Sequence, residues 1–169
     1  MGVPEATERL RFRQMEERDL DAMAGLLGDA EVMRYYPAPK SRDEASAWIA
    51  WNRRNYETLG FGLWIVETHD GGFVGDCGLT VQHLGGAPVV EVGYHMRAEL
   101  HGRGYATEAA TACLEFARQH TTADRVVAII HPQNRASQRV AEKIGLTRID
   151  DDGAGEARRI VLGLAMPRP

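Results

Sequence analysis

Hydrophobic and polar residues alternate along this chain with two different periods, and each change of period marks an element. Leu10 and Phe12 alternate with Arg9, Arg11 and Arg13, which predicts a half-buried strand with the arginines on its solvated face. The spacing then lengthens. Leu20, Met23, Ala24 and Leu27 recur at helical intervals, and Gly28 is placed to end that helix. Ser41 and Glu44 form a capping box ahead of a second helix, on one side of which lie Ala45, Trp48, Ile49, Asn52 and Tyr56. Residues 61–67 and 73–81 return to strand-like runs, joined by a hairpin turn at His69, Asp70, Gly71 and Gly72. A further turn over 84–88 leads into 89–96, so three consecutive antiparallel strands are expected.

In the second half, Ala106, Ala109, Ala110, Cys113, Leu114 and Ala117 repeat at helical spacing, opposite Thr107, Glu108, Thr111, Glu115 and Arg118. Residues 125–130 are a β-branched run that follows a helix, which predicts a crossover to a parallel neighbour. His131, Pro132, Gln133 and Asn134 break that strand. Asn134 is a good N-cap for a helix ending near Gly145, with Ser137, Val140, Ala141 and Ile144 facing inward. Strands over 146–149 and 158–164 close the chain around a turn rich in Asp150, Asp151, Asp152 and Gly153. Residues 1–8 read as a flexible leader and 9–169 as one domain. Its class is mixed α/β (α+β), with a mostly antiparallel central sheet of about seven strands flanked by about four helices.

Length and charge narrow the choice of partner. A chain of 169 residues buries one core, and 20 Lys and Arg against 24 Asp and Glu leave a formal charge of -4. That balance argues against bulk electrostatic binding of nucleic acid, although Arg97, Arg103, Arg139 and Lys143 are candidates for a local basic patch. Cys77 and Cys113 sit in apolar runs without paired metal-ligand spacing, so they read as small buried hydrophobes and no metal is expected. With no apolar signal core and no run of membrane-spanning length, the expected location is cytoplasmic and no membrane partner is expected; a homodimer is left open.

The chemistry concentrates at His101, Gly102, Arg103, Gly104, Tyr105, Ala106, Thr107 and Glu108. Two glycines one residue apart allow a tight turn and close approach to a ligand. The helix that follows offers unpaired amides at the positive end of its dipole, the setting of a phosphate site. No Gly, Lys, Ser/Thr triplet makes it a P-loop, and Thr107 stands where the third glycine of a dinucleotide fingerprint belongs. The long antiparallel run ahead of it also fits neither fold.

His101 to Ala106 resembles the pyrophosphate-binding turn of the GNAT superfamily of N-acetyltransferases, Arg/Gln, x, x, Gly, x, Gly/Ala, with His101 in place of Arg or Gln. The continuation through Thr107 and Glu108, with Asn134, Ser137, Glu142, Lys143 and Gly145 one crossover later, is similar to the branch of ribosomal-protein N-terminal acetyltransferases (RimJ/RimL-like). The resemblance implies a partly splayed sheet and an acetyl-CoA co-substrate whose diphosphate lies on 101–107. Its pantetheine arm would pair with main chain near Tyr94, His95 and Met96 and touch Asn134. It also implies direct attack of a primary amine, from a protein N-terminus or a small molecule, on the thioester. A Tyr proposed as the acid in much of the superfamily is replaced by Ala141, which leaves Ser137 as the candidate acid. Glu91 and His95 point to one face of their strand, and Glu91 is the preferred base because partial burial would raise its pKa. Tyr35 and Tyr36, in a proline-rich loop, are the candidate acceptor contacts. A non-catalytic acyl-CoA-binding sensor is the alternative that His101 and Ala141 motivate.

Overall fold

The computed structural model describes residues 2–167. The alternating stretches become one seven-stranded sheet built from β1 (Leu10–Arg13), β2 (Leu63–Thr68), β3 (Phe73–Leu84), β4 (Ala87–Met96), β5 (Arg125–Ile130), β6 (Thr147–Asp152) and β7 (Arg159–Ala165), in the order β1-β2-β3-β4-β5-β7-β6. Each neighbouring pair is antiparallel except β4 with β5. The strands of the β3–β4 hairpin are longer than the hydrophobic pattern predicts. Gly85 and Gly86, with φ of 57° and 81°, turn the chain in two residues, so pairing continues out to Leu84 and Ala87.

The four expected helices are present as α1 (Leu20–Leu27), α2 (Arg42–Leu59), α3 (Tyr105–His120) and α4 (Arg135–Lys143). Ser41 and Glu44 cap α2 reciprocally, and Asn134 caps α4 by accepting from Ser137 N. The helices divide between the two faces of the sheet. Asp76 meets Trp48 of α2 on one face, while its neighbour Cys77 meets Cys113 of α3 on the other, at 3.6 Å between sulfurs. Both cysteines are buried. Asn52 and Tyr56 staple α2 to the start of β2, since Asn52 Oδ1 accepts from Leu63 N at 2.8 Å and the Tyr56 hydroxyl donates to Leu63 O. These bonds occupy main-chain groups where β2 begins, so the buried polar side chains replace part of a ladder.

Two expectations are corrected. Arg13 and Arg9 are not simply a solvated face: Arg13 forks onto Asp19 at 2.9 and 2.7 Å, and Arg9 pairs with Glu108 of α3 at 2.7 Å. Asp150, Asp151 and Asp152 lie in β6 rather than in the turn after it, and the turn is made by Gly153 and a short 3-10 segment, Gly155–Ala157. β7 runs between β5 and β6, pairing with β5 from Arg125↔Ala165 to Ile130↔Ile160. Ahead of β1, residues 2–8 of the segment expected as a flexible leader lie along α3, with Pro4 buried and Thr7 donating to Glu108.

Candidate active site

Only Val90↔Val126 and Glu91↔Val127 pair across β4 and β5; beyond them the two strands separate. Along β4, Arg97 N donates to Val74 O on β3, and main-chain groups alternate sides along a strand. The main-chain groups of Val92, Tyr94 and Met96 therefore face the gap, while those of His95 face β3. Of the three residues expected to offer main chain to a pantetheine arm, Tyr94 and Met96 turn theirs toward the gap and His95 turns its own toward β3.

Glu91 sits at the apex of this gap. Its Oε2 accepts from Ile129 N at 2.7 Å, an amide that a continued ladder would have paired with β4. Burial is the main influence on the carboxyl and pushes it up to about 7, against the Ile129 hydrogen bond and the nearby His95 ring. Its residues thus hold the splay open, with one carboxylate oxygen already engaged.

At the wide end lies the glycine turn. Gly102 and Gly104 have φ of 78° and 82°, residues 101–104 are exposed, and a Cβ at Gly102 would meet nothing within 4 Å. The turn that opens α3 is therefore exposed, with space beside Gly102. Arg9 braces the turn from just ahead of β1: its guanidinium donates to Arg103 O at 3.0 Å and lies 4.4 Å from the centre of the Tyr105 ring. His101 turns its ring back toward Met96 O at 2.8 Å. That contact occupies one of the β4 carbonyls beside the gap, so the residue replacing Arg or Gln in the motif acts on the strand end. On the α3 and α4 face, Ser137 Oγ donates to Tyr94 Oη at 3.1 Å, and Tyr94 in turn donates to Ser137 O at 2.8 Å. Burial raises the Tyr94 hydroxyl further above its ordinary range.

The other face carries a chain that the sequence alone did not suggest. Trp48 Nε1 donates to Asp76 Oδ2 at 3.1 Å, Asp76 Oδ1 meets His95 Nδ1 at 2.7 Å, and His95 Nε2 meets Tyr36 Oη at 2.6 Å. Tyr35, from the same loop, lies over His131 with ring centroids 5.3 Å apart. Since His95 is the last residue but one of β4 and His131 follows β5, the two tyrosines reach toward both strands at the open end of the gap. Surface cavities of 560 and 440 Å³ lie elsewhere, and neither takes in His95, Ser137 or the glycine turn.

The family profile described as "Acetyltransferase (GNAT) domain" matches residues 9–147. The chain belongs to the GNAT acetyltransferase family. Among similar proteins, YkkB of Bacillus subtilis (strain 168) is 42% identical over 142 residues, covering 83% of each chain. A crystallised acetyltransferase from Agrobacterium tumefaciens str. C58 superposes with a TM-score of 0.83 at 25% identity, covering 97% of this chain and 95% of that one. RimL, a ribosomal L7/L12 α-N-protein acetyltransferase in complex with coenzyme A, superposes at 0.78 with 15% identity and 98% coverage of both chains.

GNAT acetyltransferases use acetyl-CoA, and the gap, the main chain on β4 and the open turn ahead of α3 fit a thioester-bearing arm with a diphosphate at its far end. Among the described residues no group of three or more His, Cys, Asp or Glu is placed to hold a metal. No helix among them is long and apolar enough to cross a membrane. In this GNAT chain, Asn134 and Ser137 lie together at the start of α4, Glu91 at the apex, and Tyr35 and Tyr36 across the opening. Asp76 and Trp48 are the residues that sequence reasoning missed. A carboxylate inside the strand run Phe73 to Val81, facing the same way as His95, was the available signal.

Proposed function

We propose that this acetyltransferase passes the acetyl group of acetyl-CoA to a primary amine by direct attack on the thioester. The observation that carries the reading is the two-pair contact between β4 and β5, which leaves main-chain donors and acceptors facing a gap that ends at the exposed turn ahead of α3. In this reading the diphosphate lies on the amides of Gly102 to Thr107, and the pantetheine amides pair with main chain at Tyr94 and Met96 and with Asn134. A β4 amide polarises the acetyl carbonyl as charge develops on its oxygen. Ser137 turns its one hydroxyl hydrogen from Tyr94 Oη to the departing thiolate on the α4 side, while the amine enters from the face of α1 and α2 past Tyr35 and Tyr36.

Orientation supplies most of the acceleration here, roughly 7–11 kcal/mol in favourable cases, whereas one acid or base contributes about 10²–10⁴ in rate. The test is release of free thiol from acetyl-CoA across a panel of amines: N-terminal peptides, as the RimL likeness suggests, a polyamine and benzylamine. Amine-dependent release is expected. Ser137→Ala should lower kcat by about 10²-fold with acetyl-CoA affinity unchanged. Saturable acetyl-CoA binding without release to any amine would replace the transferase by the acyl-CoA sensor.

A further inference from the structure

We propose that Tyr36, backed by His95 and Asp76, takes the proton from the acceptor's ammonium, with Tyr36 the catalytic contact and Asp76 a positioning residue. The proposal rests on the transferase reading above and assigns the base within it.

An indole N–H only donates, so Asp76 Oδ2 accepts from Trp48, and in this proposal Oδ1 accepts in turn from the imidazole. His95 Nδ1 then carries a hydrogen toward Asp76 Oδ1. What is left is a single proton on the 2.6 Å line between His95 Nε2 and Tyr36 Oη. The remaining lone pairs of Tyr36 Oη are available to an incoming N–H. Exposure grades along the chain in the direction a proton would travel: Asp76 is 0% exposed, His95 8% and Tyr36 43%. An ionised carboxylate at full burial is costly unless paired, and here its partners are one indole and one imidazole that ends at the opening.

The proton step balances. As the ammonium N–H bond breaks, its proton binds Tyr36 Oη, and the proton on the Oη–Nε2 line passes to His95. The products are a neutral amine, a neutral phenol and an imidazolium held against the Asp76 carboxylate, with the same total charge as before. The groups facing His95 support this direction. Asp76 faces it from β3, Tyr36 from the loop after α1, Glu91 from four residues back on β4, and Trp48 from α2, with Lys40 Nζ 5.3 Å from the centre of the Trp48 ring. Burial works against a charged ring, but Tyr36 and Asp76 outweigh it and lift His95 to about 10, which favours the imidazolium that the step forms. Glu91 is less well placed for the task, because one oxygen is engaged by Ile129 N at the narrow end.

Tyr36→Phe deletes one oxygen from a half-exposed loop ring and leaves the packing in place. The experiment measures acetyl transfer to benzylamine and to a serine-initiated tetrapeptide from pH 6 to 10, with thermal denaturation and acetyl-CoA calorimetry as controls. For Tyr36→Phe, kcat/KM for the amine should fall about 100-fold at pH 7. The deficit should close above the amine's own pKa, where a base is no longer needed, while acetyl-CoA affinity stays within twofold. His95→Gln, which can still accept from Tyr36 but cannot titrate, should reproduce that profile. A wild-type profile in Tyr36→Phe, or a loss of equal size at every pH, overturns the assignment while leaving the transferase reading intact. Wild-type protein that binds acetyl-CoA but acetylates neither probe nor any amine of the wider panel overturns both. In acceptor-free protein, histidine ¹⁵N NMR should show His95 protonated at Nδ1, and a deprotonated Nδ1 would also overturn it.

Discussion

Single side chains at this site act through the groups they hold. Glu91 was expected to be the base because a carboxylate on an apolar strand needs a reason, and the structure supplies one in the Ile129 amide at the apex of the gap. Its pH dependence follows from a folded value of about 7 against 4.5 ordinarily. Folding favours the neutral form, so the wild-type stability it contributes is complete below about 4.5 and is lost as pH rises toward 7. Glu91→Gln keeps an acceptor for Ile129 N and does not titrate. Its melting temperature should therefore gain on wild type between pH 4.5 and 7 and run parallel above that. Each kcal/mol moves Tm by about 2–4 °C in a chain of this size, so thermal denaturation at several pH values resolves a gain of a few degrees. A pH-independent difference would remove the burial argument. Residue by residue, the sequence showed Ser137, Asn134 and the glycines through their spacing. Asp76 stayed hidden, because a lone acid in a strand is visible as functional only when Trp48, thirty residues earlier in the fold's other layer, and His95 are seen beside it.

Elements place those side chains, and one connection is under particular constraint. Gly104 is the N-cap of α3 at φ 82°, and a Cβ there would lie 3.4 Å from Arg9 Nη2. An L side chain in the left-handed region costs roughly 1–2 kcal/mol. Relief of that strain would swing the first amides of α3, so Gly104→Ala should weaken acetyl-CoA binding by about tenfold, read by calorimetry. Unchanged affinity would argue against these amides as the diphosphate site. Helix ends were legible because Ser41, Glu44, Asn134 and Gly28 announce caps chemically. The extent of β3 and β4 was less so, since a two-glycine I′ turn can serve any length of ladder on either side. The aspartates of β6 misled for a related reason. Their composition says turn, yet Asp151 is paired by Arg148 and Arg158, which lets an acidic run stay extended.

Over the whole molecule, helix, strand and crossover order made the fold class legible, but the place of the last strand was not. Hydrophobic alternation says that 158–164 is a strand and gives no neighbour for it. The structure places β7 between β5 and β6, with Ile160, Val161 and Leu162 buried. The family profile ends at residue 147, whereas β5, which forms one wall of the gap, has β7 as its other partner. A chain ending at Arg158 should consequently lose cooperative unfolding by circular dichroism, and a truncated protein that melts normally would contradict this sheet order.

The separation of β4 from β5 has a consequence for how such a chain can diverge. In the proposed reading the contacts to the carrier on one side of the opening are peptide groups, which every residue except proline supplies alike, so ordinary substitutions there leave the hydrogen-bonding pattern untouched. On the other side Tyr35, Tyr36 and His95 would act through their rings, and a single codon change rewrites them. Preference for the acyl carrier is thus robust to drift, and preference for the amine is the part free to change.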